Sequence, residues 1–140
     1  MTDEKLKQEQ ADEEMINQAF QHLLESYLTS KHRRKVEIIT KAFNFAKQAH
    51  KGVKRRSGEP YIMHPIAVAQ IACSEIGLGS TSICAALLHD VVEDTDYTVE
   101  DIENLFGPKV AQIVDGLTKI SGGIFGDRAS AQAENFKKLL

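Results

Sequence analysis

The stretch that decides the fold reads SICAALLHDVVED, from Ser82 to Asp94. It is apolar on most faces until it reaches His89 and Asp90, and Glu93 follows one turn later. Ionisable groups at the end of a buried helix are costly unless something compensates their charge. A divalent cation would do so, because neighbouring helical residues point about 100° apart and can converge on one ion. The stretch therefore indicates a buried helix that carries a metal site.

A second histidine, His64, lies at the head of the preceding apolar segment. A His-Asp pair alone is also typical of a surface helix end, and acidic runs are usually solvated. Two consecutive buried helices that bring His64 close to His89 and Asp90, however, are how a metal site is built inside a helical bundle. Ionisable groups in apolar surroundings are also often functional. We therefore interpret the three residues as a metal site.

Length and composition indicate one ordinary globular domain. The chain has 140 residues, of which 42% are hydrophobic and 26% charged, which excludes a disordered or membrane-embedded protein. No apolar stretch approaches the roughly 18 residues of a membrane span, and the polar N-terminus is no signal peptide. Cys73 and Cys84 lie in apolar segments, so we expect free, buried thiols and a cytoplasmic location.

The net charge of −3 conceals an asymmetry. A basic cluster precedes the apolar helices, and an acidic run without basic residues follows them. Together they suit a phosphate ester, whose oxygens require cations at both ends. The basic cluster is also typical of a solubilising surface or a nucleic-acid patch, but the overall acidic balance argues against general nucleic-acid binding. The basic cluster comprises Lys47, Lys51, Lys54, Arg55 and Arg56, and the acidic run comprises Glu93, Asp94, Asp96, Glu100, Asp101 and Glu103.

Helical periodicity dominates the chain and predicts an all-α bundle. Apolar stripes predict helices over 16–28 and from Val36 to near His50, and Gly52 ends the second of these. Residues 52–63 form a loop that could hold one short extended strip. A third helix begins at Pro65, with His64 at its cap, and a fourth spans roughly 80–92.

The rest of the chain is also helical, with one connection. A capping box at Thr98 starts a short helix, and Gly107-Pro108 opens another that runs through Leu117. Residues 121–130 contain three glycines and predict a flexible connection before a last helix from Ala131. We expect residues 1–10 to fray and 11–140 to form the domain. His22, His32 and His50 are interpreted as solvent-facing.

Four ordered blocks of sequence together resemble a known family. They are RSGEPYIMHP from Arg56, AALLHDVVEDT from Ala85, the pair Phe106-Gly107, and VDGLTK from Val114. The resemblance is to the N-terminal hydrolase domain of the RelA/SpoT homologues, the bacterial enzymes that make and destroy the guanosine alarmones ppGpp and pppGpp. It runs from about Phe43 to the last residue, and residues 121–130 resemble the family least.

The resemblance implies an HD-type helical domain that hydrolyses the 3′-pyrophosphate of the alarmone with Mn²⁺. The products would be GDP or GTP and pyrophosphate. By position in the family's motifs, His64, His89 and Asp90 are similar to its metal ligands. Glu93 and Asp94 are similar to the catalytic carboxylate pair that orients or deprotonates the attacking water. Because members that only synthesise the alarmone lack the histidine-aspartate ligands, the chain resembles the hydrolysis-competent branch.

The same resemblance implies how the substrate is bound. Arg55, Arg56 and Ser57 fall where the family contacts the nucleotide. Planar guanidinium groups suit this role, since they can clamp phosphates or stack on guanine. The expected partner is therefore a guanosine nucleotide, with no DNA and no membrane.

The end of the chain carries expectations of its own. The last helix has no stop signal at Leu140, so we expect a fragment of a longer enzyme. The family's fourth metal ligand is an aspartate on a later helix, and residues 1–140 alone are therefore expected to fold yet hydrolyse poorly. Apolar surface near the end would favour self-association, and contact with the ribosome would need domains beyond residue 140.

Two other interpretations remain at this stage. One is an HD phosphohydrolase that acts on another nucleotide, such as a deoxynucleoside triphosphate or a cyclic dinucleotide. The block from Arg56 to Tyr61 argues against it, because generic HD proteins need no such loop. The other is a non-catalytic regulatory domain that only binds nucleotide, against which the intact ligand and carboxylate positions argue.

Overall fold

The structure, a computed structural model, describes residues 2–31, 34–121 and 129–139. Over these ranges the chain forms α-helices, and the one β-type pairing is an isolated bridge between Lys54 and Pro60. The all-α bundle predicted from the sequence is confirmed. The helices are α1 (Asp3–Leu28), α2 (Val36–Ala49), α3 (Met63–Ile71), α4 (Ser80–Asp94), α5 (Val99–Phe106), α6 (Pro108–Ser121) and α7 (Ala129–Leu139).

Helix α4 is the centre of the bundle. Every residue from Ser82 to Val91 is buried, because α2, α3 and α6 pack around it. A helix that is apolar nearly all round can reach a low free energy only in such a central position. The helix ends at Asp94, after which Thr95 adopts an extended backbone. The core helix therefore carries His89 and Asp90 inside the domain and brings Glu93 and Asp94 to its surface.

Helix α3 begins at Met63, two residues before the predicted start at Pro65. The proline is tolerated at the third position because backbone N–H groups in the first turn have no partner within the helix. His64 consequently lies in the first helical turn and is buried. The helix continues as a π-helical turn over Ala72–Ile76, and Gly77 ends it at a positive φ of 78°, a conformation that favours glycine.

Helices α1 and α2 cover one side of this core. The rings of Phe20 and Phe43 stack with centroids 3.9 Å apart. Helix α1 already begins at Asp3, and Thr2 caps it through Lys5 N, so residues expected to fray continue the helix on its exposed side. The prediction of a solvent-facing His50 was wrong. Residue 50 caps the C-terminus of α2, and its side chain turns into the core, where it is 3% exposed.

The C-terminal half follows the predicted order with longer helices. The capping box of α5 is confirmed, with Thr98 and Asp101 exchanging side chain to backbone hydrogen bonds at 2.9 and 3.1 Å. Helix α6 runs to Ser121 instead of ending at Leu117, and α7 begins at Ala129 instead of Ala131. Most of the predicted connection, residues 122–128, lies outside the described residues, as does His32.

The structure also bears on the two cysteines and on the search for membrane-spanning helices. Cys73 and Cys84 are free and buried, as predicted, and burial raises the pKa of the Cys84 thiol to about 12. Over the residues that the structure describes, no helix is both long and apolar enough to cross a membrane.

Leu87 provides the test of this core. Its side chain is fully buried in α4, so Leu87→Ala should lower the free energy of unfolding by about 2 to 5 kcal/mol through lost burial and a residual cavity. Leu105→Ala is the matched control, because Leu105 is 39% exposed and should change stability by no more than about 0.5 kcal/mol. Urea unfolding followed by circular dichroism measures both. Equal losses in the two variants would contradict the central position of α4.

Candidate metal centre and basic loop

His64, His89 and Asp90 lie together in the interior of the bundle. His64 comes from α3, and the other two come from the end of α4; each is at most 5% exposed. The Nε2 atoms of both histidines face the same atom, Gln132 Oε1 on α7, at 2.8 and 2.9 Å. Asp90 Oδ1 lies 3.1 Å from His89 Nε2. Two imidazole nitrogens and a carboxylate thus converge on one small volume.

The backbone of α4 fixes the orientation of the His89 ring. Its Nδ1 atom lies 2.7 Å from the carbonyl oxygen of Ala86, and because a carbonyl can only accept, Nδ1 is the donor. The opposite atom, Nε2, therefore points into the cluster. A histidine held in this way by a carbonyl on Nδ1 presents Nε2 as a metal ligand, with tautomer and ring plane already set.

The surroundings shift the pKa values of all three side chains. Burial lowers the pKa of His64, which favours the neutral imidazole that a metal requires. Burial acts in the same direction on His89, but the hydrogen bond and charge of Asp90 outweigh it and raise the pKa of His89 to about 9. Burial would raise the pKa of Asp90, yet its bond with His89 holds that pKa below the ordinary value. Before a cation binds, His89 and Asp90 are therefore coupled as a buried ion pair, and an ion at His89 Nε2 would take the place of the proton on that atom.

The donor set of this cluster fits a divalent metal ion. Imidazole nitrogens together with a carboxylate are ligands that Mn²⁺ and related ions accept. Asp90 Oδ2 is buried and makes no hydrogen bond of ordinary geometry among the described residues. The phenol of Tyr61 is close enough to help lower the pKa of Asp90, but a cation that reached this oxygen would compensate its charge more fully. Over the same part of the chain, no three His, Cys, Asp or Glu side chains already stand at ligand spacing. The oxygen of Gln132 lies between the two histidines instead.

Gln132 is the residue of this cluster that sequence reasoning missed. It lies on α7, a mostly polar helix, and is 68 positions from His64 and 43 from His89 along the chain. Nothing in the local pattern distinguishes it from an exposed glutamine. The packing of α7 against α3 brings its side chain to the histidines. The position of Gln132 beside them can therefore be recognised only from the tertiary structure.

Glu93 and Asp94 lie one turn beyond the cluster, at the exposed end of α4. Asp94 Oδ2 is 3.4 Å from Nε2 of His50, whose side chain is 1% exposed. The predicted carboxylate pair is therefore close to the cluster in sequence and position but faces water. His50, which was interpreted as a surface residue, is its buried neighbour.

The basic loop between α2 and α3 forms a tight hairpin-like turn. Arg55 N donates to Glu59 O at 2.9 Å, Tyr61 N donates to Val53 O at 2.8 Å, and Gly58 N donates to Arg55 O at 2.9 Å. The short extended strip predicted for this segment is thus confirmed by the bridge beside these bonds. Arg56 and Ser57 lie exposed at the tip, and Arg55 is half-buried at its base.

Helix α1 anchors this loop by charge. Lys54 Nζ lies 2.7 Å from Asp12 Oδ2, and Lys47 pairs with Glu13. The hydrogen bond from Lys54 lowers the pKa of Asp12. Two members of the basic cluster, Lys47 and Lys54, are therefore paired with carboxylates of α1, and within the loop Arg55 Nε lies 3.9 Å from Glu59 Oε1.

Tyr61 connects the loop with the cluster. The guanidinium carbon of Arg55 lies 5.9 Å from the centre of the Tyr61 ring. The same ring is 4.8 Å from that of His50 and 6.1 Å from that of His64, centre to centre. Burial, followed by the charges of Asp90 and Asp94, raises the pKa of Tyr61, so the phenol stays neutral. The loop, the histidines and the carboxylates form one contiguous site.

The fold and this site define the class of the protein. The HD domain family matches residues 42–140, and the chain belongs to that family. Membership implies a divalent metal ion. The HD-type helical domain that the resemblance implies is thereby confirmed.

Individual relatives narrow the comparison. The chain is 47% identical over 116 residues to the guanosine-3′,5′-bis(diphosphate) 3′-pyrophosphohydrolase of Vibrio cholerae, covering 83% of this chain and 16% of that protein. It is 44% identical over 127 residues to the bifunctional (p)ppGpp synthase/hydrolase SpoT of Escherichia coli K12, covering 91% and 17%. The chain therefore spans about one sixth of the length of these curated relatives.

A solved structure supports the same comparison. A metazoan orthologue of SpoT, described as hydrolysing ppGpp, is 36% identical with a TM-score of 0.55. The superposition covers 59% of this chain and 48% of that one. The histidine and aspartate positions thus belong to a fold that occurs in proteins named as alarmone hydrolases.

The anchor between Asp12 and Lys54 gives a pH-dependent prediction. Because the pKa of Asp12 is lowered in the folded chain, the ionised carboxylate stabilises the fold above its unfolded pKa of about 3.9. This contribution is lost as the pH falls through the folded pKa. We expect Asp12→Asn to be less stable than the parent chain at pH 7, and the difference to shrink toward pH 3. Urea unfolding across this range measures it, with exposed Glu9→Gln as the control. A difference that stays constant with pH would contradict the ion pair.

Proposed function

We propose that this chain is a metal-dependent hydrolase domain that removes the 3′-pyrophosphate of guanosine 3′,5′-bis(diphosphate). The observation that carries the proposal is the convergence of His64 Nε2, His89 Nε2 and Asp90 beside a loop rich in arginine. The names of the relatives support the same substrate. In the proposed reaction, a water oxygen bonds to the phosphorus that is attached to the 3′ oxygen, and the bond between the 3′ oxygen and this phosphorus breaks. The products are GDP and pyrophosphate; pppGpp would yield GTP.

His64, His89 and Asp90 are the residues that would hold the ion, which we propose is Mn²⁺. All three are buried, so their donors are shielded from bulk water. When bound, the ion would lower the pKa of water and neutralise charge on the phosphoryl group. The orphaned Asp90 Oδ2 supports this assignment, since a cation would satisfy it. Gln132 Oε1, in contact with both histidines, is a further oxygen donor.

Glu93 and Asp94 supply the carboxylates that the attacking water needs. They follow the buried pair by one helical turn and are exposed, so water and substrate can reach them. A carboxylate in this place can orient the water and accept its proton as the new bond forms. The second carboxylate can hold the same water from another side.

Arg55, Arg56 and Ser57 are proposed to bind the nucleotide. Arg55 lies over the Tyr61 ring, where its guanidinium plane is held in place, and Arg56 and Ser57 project at the tip of the loop. Guanidinium groups bind phosphate oxygens in a bidentate manner, and a serine hydroxyl can donate or accept one further hydrogen bond. The loop can therefore hold the phosphates while the carboxylates of α4 act on the water.

The direct test is release of pyrophosphate from ppGpp in the presence of Mn²⁺. Even a slow rate is informative, because an excess of chelator should abolish it. His89→Ala should do the same, since it removes a proposed ligand, whereas His22→Ala, on the exposed face of α1, should not. Full activity in His89→Ala or in excess chelator would overturn the metal assignment.

Glu93→Gln keeps the size of the side chain and removes the base. Turnover should fall by roughly two to four orders of magnitude, while folding and Mn²⁺ affinity persist. The matched control is Glu100→Gln, an exposed acidic residue of α5. Steady-state kinetics with a parallel Mn²⁺ titration separates the two effects. Near-normal turnover would place Glu93 among ordinary solvated residues.

Arg55→Ala and Arg56→Ala should act on substrate binding more than on chemistry. Each removes a cation from the loop and leaves the histidine cluster in place, so KM should rise with a smaller change in kcat. Arg34→Ala, exposed between α1 and α2, serves as the control for charge alone. A loss confined to kcat, with nucleotide affinity unchanged, would argue against this role.

A further inference from the structure

His50 is buried without any role in the chemistry described so far. It caps the C-terminus of α2 and is 3% exposed, which is unusual for a histidine beside a loop of basic residues. Its ring packs against Tyr61, with centroids 4.8 Å apart. A buried imidazole is costly unless both of its nitrogens are used. The two ring nitrogens of His50 have different surroundings.

One nitrogen is satisfied by its own helix. His50 Nδ1 lies 3.2 Å from the carbonyl oxygen of Ala46, and because that oxygen can only accept, Nδ1 donates. Nε2 is thereby directed away from α2. Among the residues that the structure describes, no hydrogen bond reaches this atom, and the charged group that faces it is Asp94, with Oδ2 at 3.4 Å.

The pair can form a hydrogen bond only if it holds one proton between its two atoms. An ionised carboxylate accepts, and an unprotonated Nε2 also accepts, so a proton on either atom converts the contact into a hydrogen bond. Such a hydrogen bond would join the buried imidazole of His50 to the more exposed carboxylate of Asp94. The imidazole is held by α2 and Tyr61, whereas the side chain of Asp94 is 44% exposed and ends its helix.

We propose that His50 is a positioning residue that holds the carboxylate of Asp94 in place through Nε2. This inference rests on the proposed function, in which Asp94 and Glu93 act on the attacking water. With Oδ2 engaged by His50, Oδ1 is left for water or substrate. A long-lived orientation of a reacting carboxylate normally needs such a partner behind it.

The same imidazole links both parts of the site. The Tyr61 ring is next to those of His50 and His64, and the Arg55 guanidinium lies 5.9 Å from its centre. His50 therefore fixes the end of α4 relative to the loop that is proposed to bind the nucleotide. A shift of its ring would move the carboxylate and the arginine relative to each other.

Three substitutions separate the functions of the two ring nitrogens. In His50→Gln, the amide nitrogen lies near the place of Nε2 and can still donate to Asp94. In His50→Asn, the shorter amide reaches only the place of Nδ1 and retains the bond to Ala46. His50→Phe keeps the ring against Tyr61 and removes both nitrogens. His22→Phe, on the exposed side of α1, is the control for the substitution itself.

Kinetics with ppGpp and Mn²⁺ give the functional readout. We expect kcat to fall between about 10-fold and 100-fold in His50→Asn and His50→Phe, with KM and Mn²⁺ affinity nearly unchanged. His50→Gln should recover most of the loss. If His50→Asn matches the parent chain, or if His50→Gln is as slow as His50→Phe, Nε2 does not position Asp94 and the proposal is overturned.

A measurement without turnover separates this proposal from the proposed function. In the chain labelled with ¹⁵N at histidine, the Nε2 resonance of His50 should move when Asp94→Asn is introduced, while Asp96→Asn leaves it in place. An Nε2 resonance that ignores Asp94→Asn would overturn the pairing whatever the kinetics show. A parent chain that has the Asp94-dependent shift but hydrolyses no ppGpp would instead overturn the hydrolase assignment and retain the pairing.

Discussion

The buried ion pair of His89 and Asp90 is the interaction on which the rest of the structure depends. Both residues are 3% exposed and their side chains are 3.1 Å apart, in the helix that α2, α3 and α6 pack against. Charged groups in such a place are expensive, and their mutual attraction only partly offsets the loss of water. A fold that keeps them does so at the expense of stability, which is the usual sign that the groups have a function.

The rest of the bundle is arranged around that pair. Helix α3 adds His64, α7 adds Gln132, and the turn between α2 and α3 places a basic loop beside them. Helix α1 then neutralises part of the basic cluster, through Asp12 on Lys54 and Glu13 on Lys47. The apolar core thus holds the three proposed ligands, while the proposed catalytic carboxylates and Arg56 lie exposed at its edge.

Sequence periodicity was sufficient for the fold and for bringing His64, His89 and Asp90 together in its interior. The apolar run before His89 and Asp90 predicts a buried helix because it is apolar on most faces, and the capping box at Thr98 is predicted by the local spacing of Thr98 and Asp101. The helix starts were less certain because first-turn residues make no intrahelical bonds, which is why α3 begins before Pro65.

Periodicity could not predict the positions of isolated polar side chains in the folded structure. Gln132 and His50 each contact residues far along the chain: Gln132 reaches His64 and His89, and His50 reaches Asp94. His50 was interpreted as a solvent-facing helix residue, yet it is buried and its ring packs against that of Tyr61. Such positions depend on tertiary packing, and the residues around them carry no local signal.

The most direct test of the account is pulsed electron paramagnetic resonance of Mn²⁺ bound to this chain. If His64 and His89 are ligands, the spectrum contains ¹⁴N couplings from two imidazoles, and each of His64→Ala and His89→Ala removes one of them. A spectrum without nitrogen coupling, equal to that of Mn²⁺ surrounded only by water and carboxylate oxygen, would contradict the claim that this buried cluster is a metal centre.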